Sequence, residues 1–470
     1  MSATLDKVVQ LSAELARERP GTELARAAEA VVASAGAPLR LAIAGRMKAG
    51  KSTLLNAMVG EVLAATDAEE CTHVVTRYRA GIVRRATVVR RDGASAPGAL
   101  QRTAAGVRID LGAATVADVR RVDVEWPARA LDTWTLLDTP GVGSVHADIA
   151  RRGIELVASS DADESVDAVL YVAHHVHPGD WRFLTAFHDD AGVRPDPACA
   201  VAVLSRADEL GGGAPDALDL AAELARRHAL DPAVRRCCQT VVPVSGLLAQ
   251  GAATFTDAQF RTLARVAVAA DADEALRSAE RFATWTDVGG TEPDARADVL
   301  ASIGLFGVRI GVALLRDGSV AGATALAGAL RERSGLDQLV ELVHDQFLSR
   351  RDALRARGAV RSLRVALERE HDVERVEAEL ERIEAEDHEL AELAVLAAAR
   401  AGELRWSDSD LHEVELHLDP TPLPAERADL LTALERWRTK AGHPLARPAE
   451  IAAADTIARA LERRIVATAE

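Results

Sequence analysis

Apolar positions along the chain change their period near residue 250. Apolar runs of strand length alternate with helix-like segments from residue 39 to residue 246. Examples are residues 39–44, 134–137, 168–173 and 200–204. This alternation predicts an α/β domain with a mostly parallel, doubly wound sheet. After Gly246 apolar residues recur at helical spacing and strand signals nearly vanish, which predicts a helical remainder.

The predicted helices lie on both sides of the α/β domain. They cover residues 5–33, 257–270, 299–315, 321–333, 336–401, 425–440 and 451–466. The long helix 336–401 carries an apolar seam typical of a helical bundle or coiled coil. The seam residues are Val376, Leu380, Ile383, Leu390 and Leu393. We therefore expect an α-helical bundle built from N- and C-terminal helices.

Two more strands are predicted inside the α/β domain, at residues 82–91 and 119–126. They are expected to be antiparallel to each other, with a loop rich in Gly, Ala and Ser between them. The most apolar helical region, residues 300–330, is interrupted by Arg309, Arg316 and Asp317, so it is not expected to span a membrane as one segment.

A glycine-rich segment follows the first strand and matches G-x-x-x-x-G-K-[ST] without a mismatch. Its residues are Gly45, Arg46, Met47, Lys48, Ala49, Gly50, Lys51 and Ser52, with Thr53 opening the helix-like stretch behind them. In such a strand–loop–helix, backbone N–H groups and the helix N-terminus face a polyphosphate. Lys51 is expected to reach the β- and γ-phosphates and Ser52 to hold Mg²⁺.

Two downstream segments complete a nucleotide site. Asp138 ends a buried strand, where its carboxylate can hold a water of Mg²⁺, and the N–H of Gly141 can reach the γ-phosphate. The second segment begins at Ser205. Asp208 can accept two hydrogen bonds from the N1–H and 2-amino group of guanine, a pattern that adenine does not offer.

The guanine prediction rests on the neighbours of Asp208 as well. The usual residue two positions before this Asp is Lys. Here it is Arg206, whose planar guanidinium can stack on a purine face. Ser245 and Gly246 follow a further apolar run and fit a loop that closes over the base. Guanine is favoured over adenine.

Composition narrows the cellular setting of the 470-residue chain. Its net charge of −16 argues against general nucleic-acid binding. It also argues against strong attraction of the whole molecule to anionic lipid, although a local basic patch could still bind such lipid. Four cysteines without framework spacing indicate a reducing compartment. The N-terminus lacks a basic-then-apolar signal, so we expect a cytoplasmic protein, with peripheral contact at the inner face of the plasma membrane left open.

The combination resembles the bacterial dynamin-like GTPases, specifically over residues 39–250 and architecturally elsewhere. The segments that carry the resemblance are residues 48–56, Cys71 with Thr72, Thr76 ahead of a strand, residues 138–143, residues 205–208 and residues 334–339. It is similar to the actinobacterial subgroup that includes the isoniazid-inducible dynamin-like proteins.

That resemblance implies hydrolysis of GTP to GDP and phosphate with Mg²⁺. It also implies nucleotide-dependent dimerisation, coupled to membrane remodelling or maintenance. The partner is either a second copy bound through the GTPase domain or a dynamin-like paralogue. A recognisable membrane-insertion paddle is missing. The alternative is a GTP-dependent soluble switch, or a scaffold partner of a second dynamin-like protein, with little membrane activity of its own.

Catalytic residues are predicted with their alternatives. Val142 stands where many small GTPases place a Gln that orients the attacking water. Catalysis is therefore assigned to Thr72 and to the positive charge of the phosphate loop. Thr72 is the preferred switch residue on Mg²⁺ and Thr76 the second choice. In the family, the position of Lys48 commonly carries a hydroxyl residue that helps to hold a monovalent cation. The Lys48 ammonium either replaces that cation or serves binding alone.

The predicted domains follow from these assignments. Residues 1–37 form an N-terminal helical segment packing on the bundle, and residues 38–250 form the GTPase domain. Residues 251–345 are helices that link this domain to the bundle, and residues 346–470 form the bundle or neck.

Overall fold

The computed structural model describes residues 2–64, 74–103, 106–140, 166–174, 197–368, 370–371, 374–418 and 426–467. Within them, a mixed ten-stranded sheet forms the centre of the N-terminal half. The strands are β1 (Leu39–Gly45), β2 (Val75–Ala80), β3 (Arg85–Arg90), β4 (Ser95–Thr103), β5 (Gly106–Asp110), β6 (Val119–Trp126), β7 (Trp134–Asp138), β8 (Ala168–Ala173), β9 (Ala200–Ser205) and β10 (Val241–Val244).

The sheet order is β10-β9-β8-β1-β7-β2-β6-β3-β4-β5. Neighbours from β10 to β7 are parallel, and so are β2 and β6. The remaining pairs are antiparallel, including β2 with β7 and β3 with β6. The predicted mostly parallel α/β sheet is confirmed, as is the antiparallel pairing of the strands predicted at 82–91 and 119–126.

The loop predicted between those two strands is wrong, because β4 and β5 form a hairpin there. Side chains of β4 are largely exposed on both faces, so no alternation of apolar and polar residues marks the strand. Gly98 pairs opposite Ala86, where a Cβ would come within 3.3 Å of the Ala86 and Val88 side chains. Hydrogen-bonded pairing with the edge of β3 therefore determines this strand more than the intrinsic β-propensity of the β4 residues does.

Helices surround the sheet and form the C-terminal half. They are Ala3–Glu18, Glu23–Ser34, Lys51–Val59, Ala130–Thr133, Ala217–Ala229, Pro232–Arg235, Gly246–Ala253, Asp257–Ala267, Ala272–Ala275, Ala279–Thr284, Pro293–Arg316, Ala323–Glu332, Leu336–Val343, Arg351–Leu367, Glu374–Glu386, His388–Ala401, Asp408–Leu418, Arg427–Ala441 and Pro448–Ala467. The helical C-terminal region agrees with the predicted fold class.

The continuous helix predicted over residues 336–401 is wrong. The segment is divided into four α-helices, with a π-helical turn at His344–Leu348 after the first of them. One break has a clear cause: the Asp387 carboxylate accepts a hydrogen bond from the N–H of Leu390 at 2.9 Å and so caps a new helix. The seam residues of the prediction are nevertheless buried. Four of them share a core with the N-terminal helices, and the fifth, Leu393, packs with the core under the sheet.

Arg355 ties the helices to the sheet. Its guanidinium donates to four carbonyl oxygens between residues 34 and 38 and to Oδ2 of Asp167 at 2.5 Å. Asp167 also accepts the backbone N–H of Arg40 at 2.8 Å, and both ionic side chains are 6% exposed. The end of the N-terminal helices and the beginnings of β1 and β8 are therefore held by one buried ion pair, whose loss would leave an unpaired charge.

One helix among the described residues, Pro293–Arg316, is long and apolar enough to cross a membrane by length and composition alone. A core helix of a globular protein passes the same test. This helix packs against Gly246–Ala253 and Asp257–Ala267 through buried residues such as Ile303 and Val308, and its regular geometry is interrupted at Gly304.

Candidate functional site

The glycine-rich segment forms the turn between β1 and the helix Lys51–Val59. Gly45 needs the absence of a side chain, because a Cβ there would overlap the carbonyl oxygen of Val172 on β8. Gly50 precedes the helix with φ of 95°, a left-handed conformation that glycine adopts without strain. The loop consequently turns the first backbone N–H groups of the helix outward at the carboxyl edge of the sheet.

Lys51 starts that helix and is only 6% exposed. Its Nζ donates to the carbonyl oxygen of Arg46 at 3.2 Å, within the loop itself. Burial lowers the pKa of Lys51, and the nearby carboxylate of Asp138 acts in the opposite direction. A buried ammonium in this position favours an anionic ligand, since a phosphate would compensate its lost hydration.

Asp138 lies at the end of β7, beside the loop. Its Oδ2 is 3.4 Å from Oγ of Ser52. Its Oδ1 is buried and has no hydrogen-bond partner among the described residues. Burial raises the pKa of Asp138 to about 6, against the lowering effects of Lys51 and the Ser52 hydroxyl. An unsatisfied carboxylate oxygen next to a serine hydroxyl suits Mg²⁺, which takes one or two protein oxygens together with phosphates.

Thr76 lies directly beside Asp138, because the two residues are partners in the antiparallel pairing of β2 and β7. The preferred switch residue, Thr72, lies outside the described residues, as does Gly141. The choice between Thr72 and Thr76 therefore stays a prediction. A cavity of about 470 Å³ begins at Ser52, Thr76 and Asp138 and extends to the β4–β5 hairpin.

The base-side residues are brought to the same edge by β9. Oγ of Ser205 donates to the carbonyl oxygens of Ala49, at 2.6 Å, and of Ala173, at 3.1 Å. This one hydroxyl joins the glycine-rich loop to the ends of β8 and β9. Ser205 therefore links the glycine-rich loop, the predicted phosphate side, to the strands that carry the predicted base side.

Arg206 continues that link. Its Nη2 donates to the carbonyl oxygen of Lys48 at 3.4 Å, and its Nη1 pairs with Glu209 at 3.4 Å. Lys48, with φ of 63°, and Arg206, with φ of 50°, are the non-glycine residues with left-handed φ among the described residues. Strained backbone of this kind persists where the surroundings over-determine it, often at functional sites.

Asp208 and Ser245 lie together. Asp208 is largely buried, which raises its pKa, while a hydrogen bond with Ser245 opposes that change. Oγ of Ser245 also accepts the N–H of Leu248, capping the helix Gly246–Ala253. A Cβ on Gly246 would contact Thr53 at 3.4 Å, so this helix packs closely against the helix of the glycine-rich loop. The two halves of the predicted site are in direct contact.

Two residues near Asp208 were not predicted from sequence. A Cβ on Gly304 would lie 3.7 Å from Oδ2 of Asp208, and Gly304 has φ of 68° and ψ of 173°, a region open essentially to glycine. Arg309 donates to the carbonyl oxygens of Gly212 and Gly213, and also to two carbonyls at residues 276 and 277. In the sequence, Gly304 and Arg309 are a glycine and an arginine inside an apolar helical stretch, a signal that does not point to a nucleotide site.

These features define a P-loop protein of the GTPase class. Residues 40–191 match the sequence model of the family described as "50S ribosome-binding GTPase". This match confirms the predicted P-loop GTPase fold of the domain.

Particular relatives refine the class. The chain is 34% identical over 446 residues to "Isoniazid-induced protein IniC" of Mycobacterium tuberculosis. This alignment covers 91% of this chain and 90% of that protein. It is 46% identical over 56 residues to "Bacterial dynamin-like protein" of Nostoc punctiforme, covering 12% of this chain and 8% of that one.

A solved structure also resembles the chain. It is reported as "An oligomerised bacterial dynamin pair provides a mechanism for the long range sensing and tethering of membranes". The TM-score is 0.35 at 12% identity, covering 99% of this chain and 75% of that one. The match to IniC over most of both chains, together with the shorter match to the Nostoc protein, shows that the chain belongs to the bacterial dynamin-like GTPase family, as predicted.

Proposed function

We propose that this protein hydrolyses GTP to GDP and phosphate, and that nucleotide-dependent dimerisation couples this reaction to membrane remodelling or maintenance. One observation carries the enzymatic part: a buried lysine, a serine hydroxyl and an unsatisfied carboxylate oxygen converge at Lys51, Ser52 and Asp138. Buried charge and an orphaned oxygen are costly unless a ligand completes them.

Each residue then has a defined task. The loop N–H groups and Lys51 bind the β- and γ-phosphates, with Lys51 changing its partner from the Arg46 carbonyl to phosphate oxygen. Ser52 and Asp138 hold Mg²⁺, with Thr72 or Thr76 as a further ligand. Bound there, the metal neutralises charge that develops on the transferred phosphoryl group. Charge from Lys51 and Lys48 adds to that neutralisation.

The base is bound on the opposite side of Ser205. Asp208 accepts from the guanine edge, while Ser245 holds the carboxylate in place. Arg206 is fixed by Glu209 and the Lys48 carbonyl in a position suited to stacking on the base. Gly246 permits close contact between the loop at this side and the phosphate-binding helix.

The biological part of the proposal rests on family membership. We propose a homodimer through the GTPase domain or a heterodimer with a dynamin-like paralogue, located in the cytoplasm with peripheral membrane contact. The domain division at residues 38, 251 and 346 belongs to the same proposal. Val142 favours a second candidate, a partner that binds nucleotide but turns it over slowly, because its side chain cannot orient water.

Phosphate release by the purified chain tests the enzymatic part. Lys51→Ala is expected to abolish nucleotide binding or turnover while retaining the fold, since it removes a desolvated charge rather than a core contact. Lys7→Ala is the matched control, because Lys7 forms an exposed pair with Glu386 and such pairs contribute little. Parental turnover in Lys51→Ala would contradict the site. Tight GTP binding with very slow single-turnover hydrolysis in the parent would favour the scaffold candidate.

A further inference from the structure

The turn between β2 and β3 exposes two adjacent aliphatic side chains. Ile82 is 97% exposed and Val83 is 69% exposed. We call residues 81–84 the tip. Isolated apolar residues on a surface are ordinary, but a neighbouring pair at the apex of a turn is a convex apolar projection, for which the described residues provide no cover.

The tip is held in a fixed conformation. The N–H of Gly81 donates to the carbonyl oxygen of Trp126 at 3.1 Å, and a Cβ on Gly81 would come within 2.7 Å of the Glu125 side chain. The Arg84 guanidinium lies 4.4 Å from the centre of the Trp126 ring. A tip anchored on β6 loses little conformational freedom on binding, which favours association.

Positive charge surrounds the tip. Arg79, Arg84 and Arg85 are exposed, and two acidic side chains lie beside them: Glu125, and Glu61, which accepts a hydrogen bond from Nε1 of Trp126 at 3.1 Å. Glu125 contacts both Arg79 and Arg85, so one carboxylate is shared between two guanidiniums. The three arginines and the two glutamates together still carry a net positive charge on a chain whose total is −16. The patch therefore differs in sign from the molecule as a whole.

The tip lies at the edge of the sheet away from the nucleotide site. Thr76, at the start of β2, pairs with Asp138, so β2 runs from the nucleotide edge to the opposite edge. At that opposite edge β1 begins, and Arg355 holds the N-terminal helices to Asp167. A surface bound at the tip thus leaves the nucleotide edge free for a second GTPase domain.

We propose that this tip docks on an anionic lipid surface, with Ile82 and Val83 entering the interface and the arginines facing lipid phosphates. The aliphatic apex of the tip reaches the apolar layer of such a surface, and the arginines around it lie at the depth of the anionic headgroups. An acidic protein would complement the charge, but a projecting apex needs a matching groove, whereas a lipid interface yields to it. This inference rests on the membrane part of the proposed function and names the surface that serves it.

Co-sedimentation of the full-length protein with phosphatidylcholine vesicles, with and without phosphatidylglycerol, tests the proposal. The parent is expected to bind the anionic vesicles, more weakly as salt is raised. Ile82→Ser combined with Val83→Ser is expected to lower partitioning about a hundredfold, because each of the two inserted aliphatic side chains contributes about tenfold. Arg85→Gln is expected to lower it about fivefold, the effect of one interfacial positive charge.

Val268→Ser is the matched control, since Val268 is 86% exposed but stands alone after the helix Asp257–Ala267. Turnover without lipid should be unchanged in all three variants. Parental binding by the double serine variant would overturn the tip while leaving membrane function in place. A parent that binds neither kind of vesicle would overturn both the tip proposal and the membrane part of the proposed function. The phosphate-release assay would still test the GTPase activity separately. A lower oligomeric state of the double serine variant without lipid would instead assign the tip to a second copy of the chain.

Discussion

Replacing Asp138 by asparagine is expected to stabilise the nucleotide-free protein and to remove its response to Mg²⁺. The carboxylate has a pKa of about 6 in the folded protein, against an ordinary 3.8. The loss of hydration on burial raises the pKa by more than Lys51 and the Ser52 hydroxyl lower it. One pH unit between the two values corresponds to about 1.4 kcal/mol. Ionising Asp138 in the folded protein therefore costs up to about 3 kcal/mol, which asparagine avoids.

The sign of the pH dependence follows from the raised pKa. Above about pH 6 the carboxyl is ionised in both states, so the full cost is present. Below about pH 4 it is protonated in both states and the cost disappears. The advantage of Asp138→Asn in free energy of unfolding should thus be largest near neutrality and vanish in acid.

Calorimetric unfolding of both proteins at several pH values measures the difference. The transition of the sheet domain can be identified by its upward shift with GDP and Mg²⁺. Saturation at about a hundred times the dissociation constant stabilises the parent by about 2.7 kcal/mol. Asp138→Asn should show little of the part that depends on Mg²⁺, so its advantage in stability over the parent should nearly disappear when GDP and Mg²⁺ are added.

Asp132→Asn supplies the control, since Asp132 is an exposed carboxylate just before the same strand. It should change neither stability nor the response to Mg²⁺. A variant at Asp138 that is less stable than the parent at every pH would refute the reasoning, because the carboxylate would then be a satisfied structural group.

Further predictions concern the base side and the loop. Asp208→Asn should shift preference from GTP towards xanthosine triphosphate, as its amide reverses the hydrogen-bond pattern, and unchanged competition between the nucleotides would exclude base reading by Asp208. If the Lys48 ammonium replaces a monovalent cation, parental turnover should be equal in potassium and in a large inert cation. Lys48→Ala should then slow turnover about tenfold with little loss of affinity; strong stimulation by potassium would contradict this. Arg309→Ala should weaken GDP binding about tenfold, because the carbonyl groups of residues 212 and 213 lose the side chain that holds them. Arg316→Ala is the control, since Arg316 contacts the exposed Asp273, and its affinity for GDP measured by calorimetry should be unchanged.

The strands that carry the candidate nucleotide site were predictable because they are buried on both faces. A parallel strand covered by helices on each side is a continuous apolar run, as in β1 and β9, and its carboxyl end is followed by the polar motif. Lys51, Asp138 and Ser205 could therefore be placed at one edge of the sheet from local pattern alone.

Elements defined by a neighbour could not be predicted in this way. The β4–β5 hairpin has few apolar positions of its own and exists by pairing with β3, whereas the seam of the bundle was recognised but its division into separate helices was not. Capping by Asp387 depends on a single hydrogen bond from the N–H of Leu390, within a sequence that is also compatible with an uninterrupted helix.

The sequence by itself determined the class of the domain, its strand–loop–helix motif and the candidate residues for binding phosphate and base. These depend on local spacing and on burial that repeats along the chain. Only the tertiary structure decided that Thr76 lies beside Asp138, that Gly304 approaches Asp208, and that the tip with Ile82 stands at the far edge. Such contacts join residues far apart in the chain, and their proximity arises from strand order and packing, which no local pattern encodes.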